Sequence, residues 1–429
     1  MLFDQDLEKR RKKAGRRRFL ALAVTAAGGW WAYRWWRQRP QELKQRVVRY
    51  LTPIKDFYKV SIYLGYRPEV DLETWKLAFG GDSETAFELT YQDLMALPSR
   101  RLPKTFMCIE NPVGGAAVGN AEWTAAALAP LLERLLGTTA AGGPGLNRTS
   151  AEQARDDSAA GETEAAVLST ASGQAPSPSP VGKGQPAADM DHLRVVFRAR
   201  DGFFSSVPLE VGLDPEAYLA YEMNGRRLPR EHGFPARVLL PGKYGMKQPK
   251  WLERIEITSR NVGGYWENQG WSDSCDVRMM SRIDRVDRLG REDERPSRPG
   301  DRGHGEHFFS QQQDAIPQET TTAETSAAAG DTRGSGIWVV EGIAYCGGQA
   351  VGAVEISCDG QDTWHEAELT SSRRPNAWTT WRWLWKPSAR GSYTLAVRTR
   401  DASGKRQPES YTGSFPSGST GIHKVSVEV

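Results

Sequence analysis

Apolar and polar positions along this chain change rhythm several times. From Thr74 to Leu97 short strand-like runs alternate with turn signals such as Gly80-Gly81-Asp82. That segment ends on T-Y-Q-D-L-M-A-L-P, which predicts a short helix capped by Thr90 and stopped by Pro98. After Thr124, Leu128, Leu131, Leu132 and Leu135 recur at three- and four-residue spacing and predict a helix whose leucine face is core. The polar stretch from Gln41 to Tyr50 also reads as helical. Between Leu193 and Asp284, V-V-F-R-A, R-V-L-L and L-E-R-I-E-I-T predict strands of a compact piece. From Gly336 onward nearly every apolar run is short and alternating, with Gly, Asp and Asn between runs, and this predicts a β-sandwich. There Trp381, Trp383 and Trp385 share one face of a strand and Trp378 takes the other, a pattern expected of packing rather than of a ligand platform.

Two tracts lack any such rhythm. From Gly137 to about Asp191, and again from about Asp287 to Gly334, the chain turns to Ala, Gly, Ser, Thr and Pro with isolated charges. Neither buries enough apolar surface to offset chain entropy, so both are expected to be disordered insertions. The resulting division is 1–40, 41–286 with an insertion over 138–190, a linker over 287–335, and a sandwich over 336–429. The expected class is α+β followed by an immunoglobulin-like β-sandwich, with an N-terminal membrane-anchor helix.

The N-terminal expectation rests on charge. Residues 1–18 carry eight Lys or Arg against three acids, and Phe19 to Tyr33 carries no charge. Arg16-Arg17-Arg18-Phe19-Leu20 is similar to a twin-arginine export signal, a class that moves proteins already folded around a cofactor. No A-x-A-like cleavage site follows, and Trp30, Trp31, Trp35 and Trp36 suit a membrane interface. Together these predict a single anchor in a bacterial membrane, with the rest of the chain on the extracytoplasmic side. An ordinary signal-anchor obeying the positive-inside rule is the alternative.

At 429 residues, 39% hydrophobic and 25% charged, the remainder has ample material for globular domains. A net charge of +3, with Lys and Arg offset locally by acids, argues against a nucleic-acid partner. Cys108, Cys275, Cys346 and Cys358 form no C-x-x-C pair, which argues against a zinc site or a c-type haem. Cys346 and Cys358 would lie roughly 20 Å apart along a hairpin and are expected to be reduced.

Three stretches together resemble the sulfite oxidase family of molybdopterin oxidoreductases. They are F-M-C-I-E-N-P-V-G-G with G-N-A-E-W-T, then D-G-F-F-S-S-V-P-L-E with L-A-Y-E-M-N-G-R-R-L-P-R-E-H-G-F-P-A-R-V-L-L-P-G-K-Y-G-M-K-Q-P-K-W, and finally V-E-I-S-C-D-G-Q-D-T-W-H-E-A-E-L with R-T-R-D-A-S-G-K-R-Q-P. The resemblance implies a molybdenum–molybdopterin cofactor with Cys108 as the thiolate on the metal, a role that soft sulfur fits chemically. It implies that His232, Arg237, Gly245, Met246, Lys247 and Lys250 hold the cofactor and its phosphate, where cations and backbone N–H groups are wanted. It also implies that Phe57 and Tyr58 lie against the pterin, and that the last stretch is an immunoglobulin-like dimerisation domain giving a homodimer.

The chain departs from that family at two places. Its active-site tyrosine aligns with Trp271, whose indole N–H donates but cannot serve as a phenol does. The arginines that follow the metal cysteine are replaced by I-E-N-P-V-G-G, leaving Arg260, Arg278 and Arg282 as other sources of positive charge. The expected activity is two-electron oxygen-atom transfer on a small sulfur compound, with electrons passed to an external carrier such as a cytochrome or a quinone-linked membrane protein. Reduction of an S-oxide or N-oxide, as in the family's methionine sulfoxide reductase branch, is the alternative within enzymes. A membrane-anchored binding protein that has lost its metal is the alternative outside them.

Overall fold

In the computed structural model, residues 40–63, 67–81, 84–140, 192–289 and 336–429 are described. The expected signal and anchor, and nearly all of both polar tracts, lie outside the described residues. Among the described residues no helix is long and apolar enough to cross a membrane.

Strands dominate. Two five-stranded sheets build the first domain, one ordered Glu84–Thr90, Lys76–Gly81, Leu252–Thr258, Arg194–Ala199, Phe204–Pro208. The other runs Arg237–Leu239, Tyr218–Met223, Val118–Ala127, Ser99–Met107, with Arg226–Arg227 beside Tyr218–Met223. Both sheets draw strands from either side of the first polar tract: Lys76–Gly81 pairs in parallel with Leu252–Thr258, and Val118–Ala127 pairs with Tyr218–Met223. The two flanking pieces are therefore one folding unit. The expected helices exist but are short. Tyr91–Ala96 starts at a capping box in which the Thr90 side chain and the Asp93 backbone N–H pair, and Ala129–Ala140 buries Leu131, Leu132 and Leu135 beside Leu77, Phe79 and Val195. Helical content is accordingly lower than the α+β expectation.

The remaining strands form an eight-stranded sheet that folds over on itself, in the order Gln41–Glu42, His423–Glu428, Ser392–Asp401, Val351–Ser357, His365–Leu369, Thr379–Trp385, Trp338–Tyr345, Met280–Arg288. Its interior holds Val340, Val354, Ile356, Trp381, Trp385 and Val397, so the tryptophans are packing, as expected. All four cysteines are free thiols.

Two segments join this sandwich from the other side of the first domain. Met280–Arg288 pairs antiparallel with Trp338–Tyr345. The expected helix over Gln41–Tyr50 is not formed, and this is a correction: Gln41–Glu42 is a short parallel strand on Val425–Ser426 and the rest has no regular secondary structure. The reason lies in long-range partners for its polar groups. Gln45 Nε2 donates to the Val286 carbonyl at 2.8 Å, the Arg46 amide to the Asp284 carbonyl at 2.7 Å, and Arg46 Nη1 pairs with Asp284 at 3.1 Å.

Candidate active site

Cys108 follows the last residue of the strand Ser99–Met107, whose last two side chains, Phe106 and Met107, are buried on opposite faces. Its amide donates to the Ala117 carbonyl at 2.9 Å, which closes a turn over residues 108–117, and Asn111 Oδ1 accepts from the Ala117 amide inside it at 2.8 Å. Gly114 sits in that turn at φ +74°, and a Cβ there would meet the His423 ring at 2.3 Å. Burial raises the Cys108 thiol above its ordinary value, against the pull of a hydrogen bond from the Glu110 backbone.

The thiol opens into a cavity of about 120 Å³. Nine of the ten expected site residues line it: Phe57, Tyr58, Cys108, His232, Arg237, Gly245, Met246, Lys250 and Trp271. Phe57 and Tyr58 stack with ring centroids 5.6 Å apart, and Phe57 meets the His232 ring edge-on at 5.4 Å. A Cβ on Gly245 would lie 2.9 Å from Tyr58 Oη, so only glycine admits the tyrosine so close to that turn.

His232 closes a single 3-10 turn, Arg230–His232, ended by Gly233 at φ +115°. It is 2% exposed, and Arg237 in the adjoining short strand is 5% exposed. Arg237 Nη1 donates to the His232 carbonyl at 3.0 Å and Nη2 to the Gln248 carbonyl at 3.3 Å, while the guanidinium lies 4.1 Å over the Phe106 ring. Yet Arg237 Nε and His232 Nε2 are buried without a hydrogen-bond partner. Buried polar atoms are nearly always satisfied, so two orphans beside one cavity mark the place of an absent polar group. Desolvation, with the nearby Arg237 charge, pushes His232 down to about 4; desolvation pushes Arg237 down to about 10 and Lys250 down to about 7. An anion seated among them would reverse that pressure. Lys250 Nζ meanwhile donates to the Val60 and Glu231 carbonyls at 2.8 and 3.2 Å.

Lys247 departs from expectation. It does not line the cavity; its ammonium is 0% exposed, ion-paired with Glu267 and Asp273, and donates to the Ser206 carbonyl at 2.8 Å. Nor do Arg260, Arg278 or Arg282 line the cavity. Arg282 is held by Asp284 at 2.6 and 3.1 Å and also donates to the Gly115 carbonyl, and Arg278 Nε reaches the Ser417 carbonyl at 3.3 Å. Sequence reasoning missed Trp266, which lines the cavity beside Trp271, and the acids Glu110 and Asp201. Glu110 and Asp201 fall inside the stretches F-M-C-I-E-N-P-V-G-G and D-G-F-F-S-S-V-P-L-E that carry the resemblance, but neither was given a role there.

The site fits a phosphate-bearing pterin with a thiolate-ligated metal. A half-buried sulfur lies at one position, an aromatic pair at another, and unsatisfied N–H and imidazole nitrogen atoms at a third. Among the described residues no three His, Cys, Asp or Glu side chains converge into a metal cage, so Cys108 would act as a lone protein ligand.

Comparison with known proteins agrees. Residues 64–266 match the oxidoreductase molybdopterin binding domain, and residues 316–428 match the Mo-co oxidoreductase dimerisation domain. Mitochondrial sulfite oxidase of Rattus norvegicus is 34% identical over 188 residues, 42% of this chain and 30% of that protein. A putative protein-methionine-sulfoxide reductase subunit, YedZ1, of Azospira oryzae is 35% identical over 85 residues, 20% of this chain and 32% of that protein. These matches thus span about a third of the relatives' own lengths. The crystal structure of the sulfane dehydrogenase SoxCD from Paracoccus pantotrophus superposes with a TM-score of 0.53 over 85% of this chain and 79% of that one, at 17% identity, a likeness of fold.

Proposed function

Because the chain belongs to the sulfite oxidase family of molybdopterin-dependent oxidoreductases, we propose that it catalyses two-electron oxygen-atom transfer on a small sulfur compound. The observation that carries this reading is the convergence of the Cys108 thiol with the unpartnered His232 Nε2 and Arg237 Nε on one cavity. A protein that had lost its metal would have no use for two buried, unsatisfied nitrogens.

The molybdenum–molybdopterin group supplies the oxygen-atom and two-electron chemistry when bound. What the chain does is narrower. Cys108 would give up its thiol proton on ligation, as a coordinating thiol does. His232 and Arg237 would offer their free nitrogens to the phosphate, with Lys250 adding positive charge at that end. Phe57 and Tyr58 would wall the pterin, Gly245 lets the tyrosine approach, and Met246, Trp266 and Trp271 would keep bulk water from the substrate's side.

The distribution of charge favours an uncharged S-oxide as substrate, reduced with electrons from an external carrier. Positive charge in the cavity gathers at the His232 end, where Lys59 pairs with Glu231 at 3.1 Å and Arg237 and Lys250 bond neighbouring carbonyls. The residues after the thiol are Ile109 and Glu110, and the facing wall is Met246, Trp266 and Trp271. Sulfite, an anion, would meet a carboxylate there and no guanidinium. Homodimerisation through the sandwich and attachment to an extracytoplasmic membrane face through residues 1–40 belong to the same proposal.

The test is metal analysis of folded protein, followed by turnover of sulfite and of dimethyl sulfoxide with an artificial electron carrier. One molybdenum per chain with sulfoxide reduction supports the reading. Folded protein that takes up no molybdenum when the cofactor is supplied would overturn it.

A further inference from the structure

Lys247 is a fully buried cationic side chain that the cofactor reading leaves without a task. Its ammonium sits between three oxygens that belong to different segments. These are the Ser206 carbonyl at 2.8 Å on the strand Phe204–Pro208, the Asp273 carboxylate at 3.2 Å, and the Glu267 carboxylate. Asp273 is shared with Arg194 at 2.9 Å, so two cations face two carboxylates. Glu267 is wrapped by the loop itself: a Cβ on Gly264 would overlap its carboxylate at 2.0 Å, and Ser205 Oγ donates to Oε1 at 3.4 Å. The other oxygen, Oε2, is buried without a hydrogen-bond partner, so Lys247 is the main compensation for that charge.

The position of those carboxylates gives the cluster its meaning. Glu267 directly follows Trp266, and Asp273 comes two residues after Trp271; both indoles line the cavity, and the Trp271 amide donates to the Trp266 carbonyl at 3.3 Å. Lys247 itself ends the 3-10 turn Gly245–Lys247, whose Gly245 and Met246 line the same cavity. We infer that Lys247 is a positioning residue which fixes the two-tryptophan wall against the Gly245–Met246 turn, and so sets the width of the space open to substrate. It does this from behind the wall and touches no cofactor. The inference rests on the proposed function for its kinetic consequence, but its structural part stands apart from it.

Removing only the ammonium would strand a buried carboxylate and can prevent folding. The informative variant is therefore Lys247→Met with Glu267→Gln, which leaves Arg194 and Asp273 paired. Fifteen tryptophans make bulk fluorescence uninformative. Full-length holoprotein labelled with 5-fluorotryptophan should instead be followed by 19F NMR, with Trp266→Phe and Trp271→Phe assigning two resonances. In the double variant those two should shift or broaden while the deeply buried Trp123 and Trp251 stay in place. Molybdenum content should remain within about twofold of the parent, and KM for dimethyl sulfoxide should rise roughly tenfold with kcat within about threefold, the pattern of lost binding rather than lost chemistry. Unmoved Trp266 and Trp271 resonances would sink the inference, as would loss of molybdenum with the resonances unmoved, which would return Lys247 to the cofactor. A parent protein that turns over no sulfoxide removes the substrate reading alone, and the NMR comparison still decides the role of Lys247.

Discussion

The indole of Trp271 meets the ring of Phe415 edge to face, 5.2 Å between centroids and 74° between planes. The two residues come from different domains, and three hydrogen bonds hold the sandwich loop there. The Ser272 amide donates to the Pro416 carbonyl at 3.1 Å, Arg278 Nε to the Ser417 carbonyl at 3.3 Å, and Ser419 Oγ to the Asn111 carbonyl at 2.6 Å. Phe415 is 62% exposed, so it supports the cavity wall from outside. Phe415→Ala should forfeit about 0.5 to 1.5 kcal/mol of edge-to-face contact. Molybdenum content should not change, and KM should rise more than kcat falls, as steady-state kinetics beside metal analysis will show.

Trp271→Tyr addresses the cavity wall directly. A phenol shortens the side chain and adds a titratable hydroxyl, so turnover should change severalfold while metal content stays level. The unmodified protein should oxidise sulfite poorly, because each missing charge-assisted contact costs about 1.5 to 3 kcal/mol. Stopped-flow comparison of sulfite with dimethyl sulfoxide tests this, and sulfite oxidation near ~10⁴ M⁻¹s⁻¹ or above would count against it.

Cys108→Ser should fold, since the turn behind it is held by the Asn111 side chain and the backbone, but a hard and poorly ionised hydroxyl should retain less than about a tenth of the molybdenum. Circular dichroism with elemental analysis separates misfolding from metal loss.

Arg237→Met keeps a chain that packs on Phe106 and Trp123 while deleting the guanidinium. Losing one charge-assisted bond to a phosphate should weaken cofactor retention by about 10- to 150-fold, corresponding to ~1.5 to 3 kcal/mol. Rates of pterin release on dilution provide the measurement, and the melting temperature of the cofactor-free protein should fall because the buried His232 and Gln248 carbonyls lose their donor.

Acid sensitivity should trace partly to His423. Buried behind Gly114, it accepts the Ile283 amide at Nδ1 at 3.0 Å, and desolvation with the Arg282 and Arg46 charges pushes it down to about 3. Its folded value lies below the ordinary one of about 6.5, so between those values the unfolded chain binds the extra proton. The stability this histidine contributes is therefore complete above pH ~6.5 and declines as pH falls toward about 3, with no further loss below. Denaturant titrations of the parent and of His423→Gln should show a shallower decline for the variant over that window.

Much of the site was legible through the family resemblance, because the motifs that carry it are short segments; without it His232 reads equally as a turn histidine and the lysines as a solvated face. Cys108 sits beside its strand, His232 lies five residues from Arg237, and Gly245 and Met246 lie just before Lys250. What the sequence could not show was direction. Lys247 neighbours Met246, yet consecutive residues of a 3-10 turn point apart, and the lysine turned toward Glu267 and Asp273 instead of toward the cavity. Phe415 was invisible for another reason: it reaches Trp271 from 144 residues away, and no periodicity encodes such an approach. The strands of the sandwich were plain from alternation. The non-helical path of Gln41–Tyr50 was not, because its polar side chains satisfy a helix and a sheet edge equally well until Asp284 and Val286 are in place.

That edge has a mechanical side. Gln41 and Glu42 lie parallel to Val425 and Ser426, beside the last strand of the sandwich, with Arg46 bound to Asp284 a few residues on. Tension applied to the chain ahead of residue 41 would be taken up as shear along that strand pair and then by the Arg46 ion pair. The load would pass into the eight-stranded sheet and, through the Gln41 and Arg46 side chains that donate to the Val113 and Gly114 carbonyls, into the turn that follows Cys108.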